Sequence, residues 1–139
     1  MSTVDEKAQK KAERAAKRAL RQERAKDQLA EMRMNARFEG WTLVNGTLSK
    51  GLTKSYDVAG AVAEFQHGAN VGGRITLTRV ALTGIFALGL KKDRNKVYVL
   101  IELADGQQEL IEAKAKEEKA ARKFAGAINS ASRHYADKG

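Results

Sequence analysis

The segment Trp41-Thr42-Leu43-Val44-Asn45-Gly46-Thr47-Leu48-Ser49-Lys50 decides how the chain is to be read. Two short apolar-polar runs flank Asn-Gly, the pair that best tolerates the positive φ angles of a type I′ turn. The segment therefore predicts a β-hairpin, and everything from Glu39 onward is read as one β-rich domain.

A second hairpin follows the same logic. Lys96 to Ala104 (KVYVLIELA) and Gln107 to Ala113 (QQELIEA) flank Asp105-Gly106, read as another two-residue turn. That turn sets Ala104 opposite Gln107, Ile101 opposite Leu110 and Leu100 opposite Ile111. Val99, Ile101 and Leu110 then share the core face. Tyr98, Leu100 and Ile111 share the other, which needs a cover, and the neighbouring helix is the expected one. Glu102 and Glu109 are expected to face each other, exposed and relieved by lysine neighbours. Between the hairpins, Ser55 to Phe65 reads as one strand region bent at Gly60, Gly68 to Gly73 as a turn, and Arg74 to Arg79 as an alternating strand. Thr83 to Leu90 reads as a further strand, and Lys91 to Lys96 (KKDRNK) as a polar loop.

Helical spacing brackets this β region. From about 114 to 136, Ala121, Phe124, Ala125, Ile128, Ser132 and Tyr135 recur every three or four residues, the pattern of an amphipathic, packed helix. Residues 4–36 contain no Gly or Pro and are built mostly of Ala, Lys, Arg, Glu, Gln and Leu, all strong helix formers. Ser2 or Thr3 can cap this helix, and Asp5 and Glu6 suit the positive end of its dipole. The alanines Ala8, Ala12, Ala15 and Ala19 are too small a seam for a coiled coil. Residues 1–38 are accordingly read as a solvated helical arm, and residues 39–139 as the folded domain. The final third of the arm, with Leu29, Met32, Met34 and Phe38, carries its apolar surface.

Charge divides unevenly between these parts. The 139 residues hold 26 Lys and Arg against 17 Asp and Glu, a net charge of +9. Residues 1–38 account for 11 against 6, or +5, and residues 39–139 for 15 against 11, or +4. An excess of this density attracts nucleic acid, an anionic surface or an acidic protein.

Several chemistries are excluded. There is no cysteine, which removes disulfides, zinc-thiolate sites and thiol catalysis and suits a reducing cytoplasm. The longest apolar-biased run, Val80 to Leu90, falls well short of the about 20 residues of a spanning helix. Neither His67 nor His134 has another His or paired carboxylates nearby in sequence at metal-ligand spacing, and each is read as a surface histidine. No nucleophile elbow is present, and Gly68 to Gly73 lacks the lysine and spacing of a phosphate loop. No catalytic, cofactor or metal site is expected, and the protein is read as a non-enzyme.

The order of elements resembles a pleckstrin-homology-like (PH-like) domain, and the wording of the chain is similar to small bacterial PH-like proteins, mainly actinobacterial and phage. The residues that carry the resemblance are Tyr56-Asp57-Val58-Ala59-Gly60-Ala61-Val62-Ala63-Glu64, Arg74-Ile75-Thr76-Leu77-Thr78-Arg79, and Ala121-Arg122-Lys123-Phe124-Ala125 with Ile128-Asn129. It implies an α+β fold: a bent sandwich or partly open barrel of seven strands, closed by a C-terminal helix and here preceded by a long basic helix. It assigns no activity.

Two basic surfaces are candidate binding sites. One is the arm, represented by Lys10, Lys17, Arg21 and Arg24, whose cations are read as pointing all round the helix. The other is the loop Lys91, Lys92, Arg94 and Lys96, with Lys50 and Lys54 expected at the same rim. The early-loop Lys50-x-x-x-Lys54 departs from the inositol-phosphate motif of PH domains, so anionic lipid is not the expected ligand. The groove beside the C-terminal helix, where PH-like domains take peptides, is a third place for a partner. The expectation is a non-catalytic interaction module whose arm contacts a protein partner or a second copy. The alternative is a protein that binds nucleic-acid phosphates through the arm.

Overall fold

The computed structural model describes residues 3–71 and 83–138. It is an α+β protein that divides into two compact units, Met1–Met32 and Arg33–Gly139. The first is a single helix, α1 (Thr3–Arg33), exposed along its length from Thr3 to Leu29. Asp5 and Glu6 lie in its first turn, as the dipole favours. It ends before the predicted 36, and Ala36–Phe38, counted with the arm in the sequence, are the first strand of the second unit.

That unit begins with a four-stranded antiparallel meander: β1 (Ala36–Phe38), β2 (Trp41–Val44), β3 (Thr47–Lys50) and β4 (Lys54–Asp57). The Asn-Gly turn forms as predicted, with Val44 paired to Thr47 and both Asn45 and Gly46 at positive φ. Glu39 and Gly40 repeat the device between Phe38 and Trp41, again both at positive φ. Phe38, Trp41, Leu43 and Leu48 point into the core.

The expected single strand over Ser55–Phe65 is two strands in different sheets. Val58 is buried at the corner, its N–H bonded to Gly46 O at 2.9 Å, and Gly60 turns the chain at φ 78°. β5 (Val62–His67), β6 (Lys96–Glu102) and β7 (Gln108–Lys114) then form a three-stranded antiparallel sheet. The predicted strand Arg74–Arg79 and the end of the glycine-rich turn lie outside the described residues. The predicted strand Thr83–Leu90 is instead a short helix, α2 (Ile85–Gly89). Gly84 at φ 58° breaks the extended run, and one helical turn drops Phe86 onto Tyr98 and Leu100.

The β6–β7 register differs from the predicted one by a single residue. Leu100 pairs with Leu110, Ile101 with Glu109 and Glu102 with Gln108. The cause is the turn. Leu103 N–H bonds Gln107 O at 2.8 Å and Gly106 N–H bonds Leu103 O at 2.9 Å, with positive φ at Gly106 and not at Asp105. This is a three-residue loop with a glycine bulge, not a type I′ turn. Sliding by one residue moves side chains between faces. Ile111 therefore joins Val97, Val99 and Ile101 in the main core, while Leu110 joins Tyr98 and Leu100 beneath α2. Both faces of β6 are covered, which is why Val97 to Ile101 are all buried.

The main core is shared by both sheets and the C-terminal helix α3 (Glu118–Lys138), entered through a 3-10 turn at Ala115–Glu117. Ala121, Phe124, Ala125, Ile128, Ala131 and Ser132 form its buried face. Thus α3 covers the Val97–Ile101 side, and the cover of the Tyr98–Leu100 side, expected from this helix, comes from α2. Asn129 fixes α3 to β5. Its Nδ2 donates to Ala63 O at 2.8 Å, and its Oδ1 accepts from Ala63 N–H at 2.9 Å. Among the described residues no helix is long and apolar enough to cross a membrane.

Candidate anion-binding surfaces

An unbroken helix over Thr3–Arg33 turns sequence spacing into geometry. At about 100° per residue, positions seven apart lie nearly in line, drifting about 20° per repeat. Lys7, Arg14 and Arg21 make one row, Lys10, Lys17 and Arg24 a second, and Lys11 and Arg18 a third. The three rows occupy an arc of about 140°. Lys7, Lys10, Lys11, Arg14, Ala15 and Arg18 line one shallow surface of the helix. The cations are therefore one-sided, contrary to the expectation that they point all round, and of the nine from Lys7 to Lys26 it is Lys26 that falls outside the arc. Opposite them run Ala8, Ala12, Ala16 and Ala19. From Lys7 to Lys26 nine cations meet only Glu13 and Glu23, a net charge of +7 in that stretch.

The second surface is smaller and held rigidly. Tyr98 donates its hydroxyl to Lys91 O at 2.8 Å, Asp93 N–H bonds Gly68 O at 3.1 Å, and Asp93 Oδ1 accepts from Asn95 N–H at 2.8 Å. Lys91, Lys92 and Arg94 are exposed. Lys96 is not available in the same way, because it pairs with Glu112, and that hydrogen bond raises its pKa. An open cleft of about 810 Å³ beside it is lined by Lys96, Lys114 and Lys116 together with Glu39, Glu112 and Glu117. Its charges balance, so it has no preference for an anion.

Lys50 and Lys54 do not join this rim. Lys50 lies over the Trp41 ring, 5.8 Å from its centroid. Lys54 Nζ donates to both carboxylate oxygens of Glu109, at 2.9 and 3.0 Å, and Tyr56 donates its hydroxyl to Glu109 Oε1 at 2.7 Å. Glu109 stands near the Glu102–Gln108 end of β7, whereas Lys96 is paired with Lys114 at the other end. The shifted register also separates Glu109 from Glu102 and buries it to 8% exposure, so the predicted exposed carboxylate pair does not form. Three groups from β4 and β7 instead clip the two sheets together, with Tyr56 stacked on Trp41 at 6.4 Å. A residue pairing across more than fifty positions leaves no local sequence signal.

The clip has a pH signature. The hydrogen bond to Glu109 holds the Lys54 ammonium above its ordinary 10.5 and the Tyr56 hydroxyl above its ordinary 10.0. Both groups keep their proton longer when folded, so their contribution is full below about pH 10 and fades as pH rises through the raised values. Urea midpoints followed by Trp41 fluorescence are expected to fall more between about pH 9 and about pH 11 in the wild type than in Glu109→Gln. Equal falls would mean that the clip adds nothing.

Neither histidine is built into a chemical site. His67 Nδ1 accepts from Ala69 N–H at 3.0 Å and caps the short 3-10 turn Gly68–Asn70, while His134 packs edge-on against Tyr135 at 5.0 Å. Among the described residues, no group of three His, Cys, Asp or Glu side chains is placed to hold a metal. Compared with known protein families, with curated proteins and with solved structures, the chain matches none.

Proposed function

We infer that this protein is a non-catalytic, cytoplasmic binding module in which a PH-like β domain carries a basic helix that docks on an anionic macromolecule. The observation behind this reading is the one-sided array of eight cations between Lys7 and Arg24 on a continuous helix. Aligned rows let many charges meet one surface together, which the same charges scattered round a helix could not do. What supports the PH-like reading is the succession of a four-stranded meander, a three-stranded meander and a helix packed on their shared core. The absence of cysteine suits the reducing compartment.

The test is a calorimetric titration of the full chain with long-chain inorganic polyphosphate at about 50 and about 200 mM salt. The expected result is saturable binding that weakens steeply with salt, because each neutralised phosphate releases a counterion. No binding at the lower salt would refute the reading.

A further inference from the structure

The arrangement of the arm's cations goes further than their number. Adjacent members of the two outer rows, Lys10 with Lys11 and Lys17 with Arg18, are about 100° apart on the helix. The middle row, Lys7, Arg14 and Arg21, bisects them. Over the 17 residues from Lys7 to Arg24 the helix rises about 26 Å. The arm thus presents two parallel lines of long cationic side chains with a third line between them.

We propose that the arm's partner is double-stranded nucleic acid, straddled along a groove so that the row Lys10, Lys17, Arg24 faces one phosphate strand and the row Lys11, Arg18 faces the other. The proposal rests on the reading of the arm as the anion contact. The helix, when formed, sets two lines of charge at a constant spacing, which fits a partner that carries two fixed lines of phosphates and can hold the helix in place. Duplex DNA, with a persistence length of about 150 base pairs, is such a partner, and duplex RNA offers the same chemistry.

The other anionic macromolecules fit less well, for reasons also in the arm. Binding of single strands relies on stacking bases against aromatic side chains, and α1 contains none. Docking on an anionic membrane needs a bulky apolar face, but the side opposite the cations is alanine. A protein partner is usually anchored by buried aromatic or large apolar groups. The large exposed apolar side chains of the arm, Val4, Leu20 and Leu29, are scattered along it.

The experiment measures affinity of the full chain for a duplex DNA of about 20 base pairs, the matching duplex RNA, and one of the DNA strands alone, across about 50–200 mM salt. Expected is at least about tenfold tighter binding to one or both duplexes than to the single strand. For duplex DNA the slope of log K against log salt should be as steep as about −7 if all eight cations engage. Lys10, Lys17 and Arg24 changed together to Gln should make it shallower by about 3, Lys11 and Arg18 by about 2, and Lys26→Gln should leave it unchanged. Equal affinity for duplex and single strand, or a Lys26→Gln effect as large as that of a row cation, would overturn the duplex assignment. Polyphosphate binding would then persist, and the anion-docking reading would stand. Loss of binding to every polyanion would overturn both.

Discussion

Phe124→Ala is expected to destabilise the folded domain by about 3–5 kcal/mol, the range for removing a fully enclosed phenylalanine. Phe124 is 1% exposed and its ring lies 5.8 Å from that of Phe38, so it joins α3 to the first strand of the first sheet. The cavity cannot collapse easily, because Ala121, Ala125 and Ile128 on the same helix are held against both sheets, and Asn129 is bonded to β5. The neighbouring Lys123 is exposed, and Lys123→Ala should stay within about 0.5 kcal/mol. Urea unfolding followed by Trp41 fluorescence measures both. Similar small losses would mean that α3 is not a core element.

The second large effect falls on binding. Changing Lys10, Lys17, Arg21 and Arg24 together to Gln removes half of the eight aligned cations. Four lost phosphate contacts weaken duplex binding by on the order of a thousandfold at about 0.1 M salt, from counterion release alone. The substitutions leave helix propensity nearly unchanged, so the loss is one of charge and not of folding. Changing Lys91, Lys92 and Arg94 should cost far less, since three cations confined to one loop meet few phosphates. An inverted ranking of the two variants would move the contact from the arm to the β domain.

How much of this was legible in the sequence depends on the range of the interaction that fixes each feature. Asn45-Gly46 specified its hairpin because turn and register are decided by two adjacent residues. Asp105-Gly106 looked equivalent and was not, since Asp105 does not take the positive φ that a type I′ turn requires. The same dipeptide also suits a glycine bulge, and the choice between the two moved Leu110, Ile111 and Glu109 to other faces. The run Thr83–Leu90 illustrates a second limit. A short apolar segment has no period that separates strand from helix, and only the fit of Phe86 under β6 settles it.

Glu109 marks a third limit, because its partners Lys54 and Tyr56 lie on another sheet. The cation rows were different. Their seven-residue spacing was in the sequence throughout, and placing Lys7, Lys10, Lys11 and Arg14 on an ideal helix would have found them. Net charge alone does not show this one-sidedness, which needs the angular position of each residue and contradicts the reading of cations pointing all round. The Glu39-Gly40 turn was equally available, as a glycine between Phe38 and Trp41.

Amide hydrogen exchange of the full chain, with and without saturating polyphosphate, tests most directly whether the arm is the contact. An isolated solvated helix opens easily, so its amides exchange fast unless a partner holds it. If the arm is the contact, polyphosphate slows exchange across residues 7–24 and leaves the loop Lys91–Lys96 as it was. Protection of that loop, with residues 7–24 exchanging as fast as in the free protein, would contradict that contact.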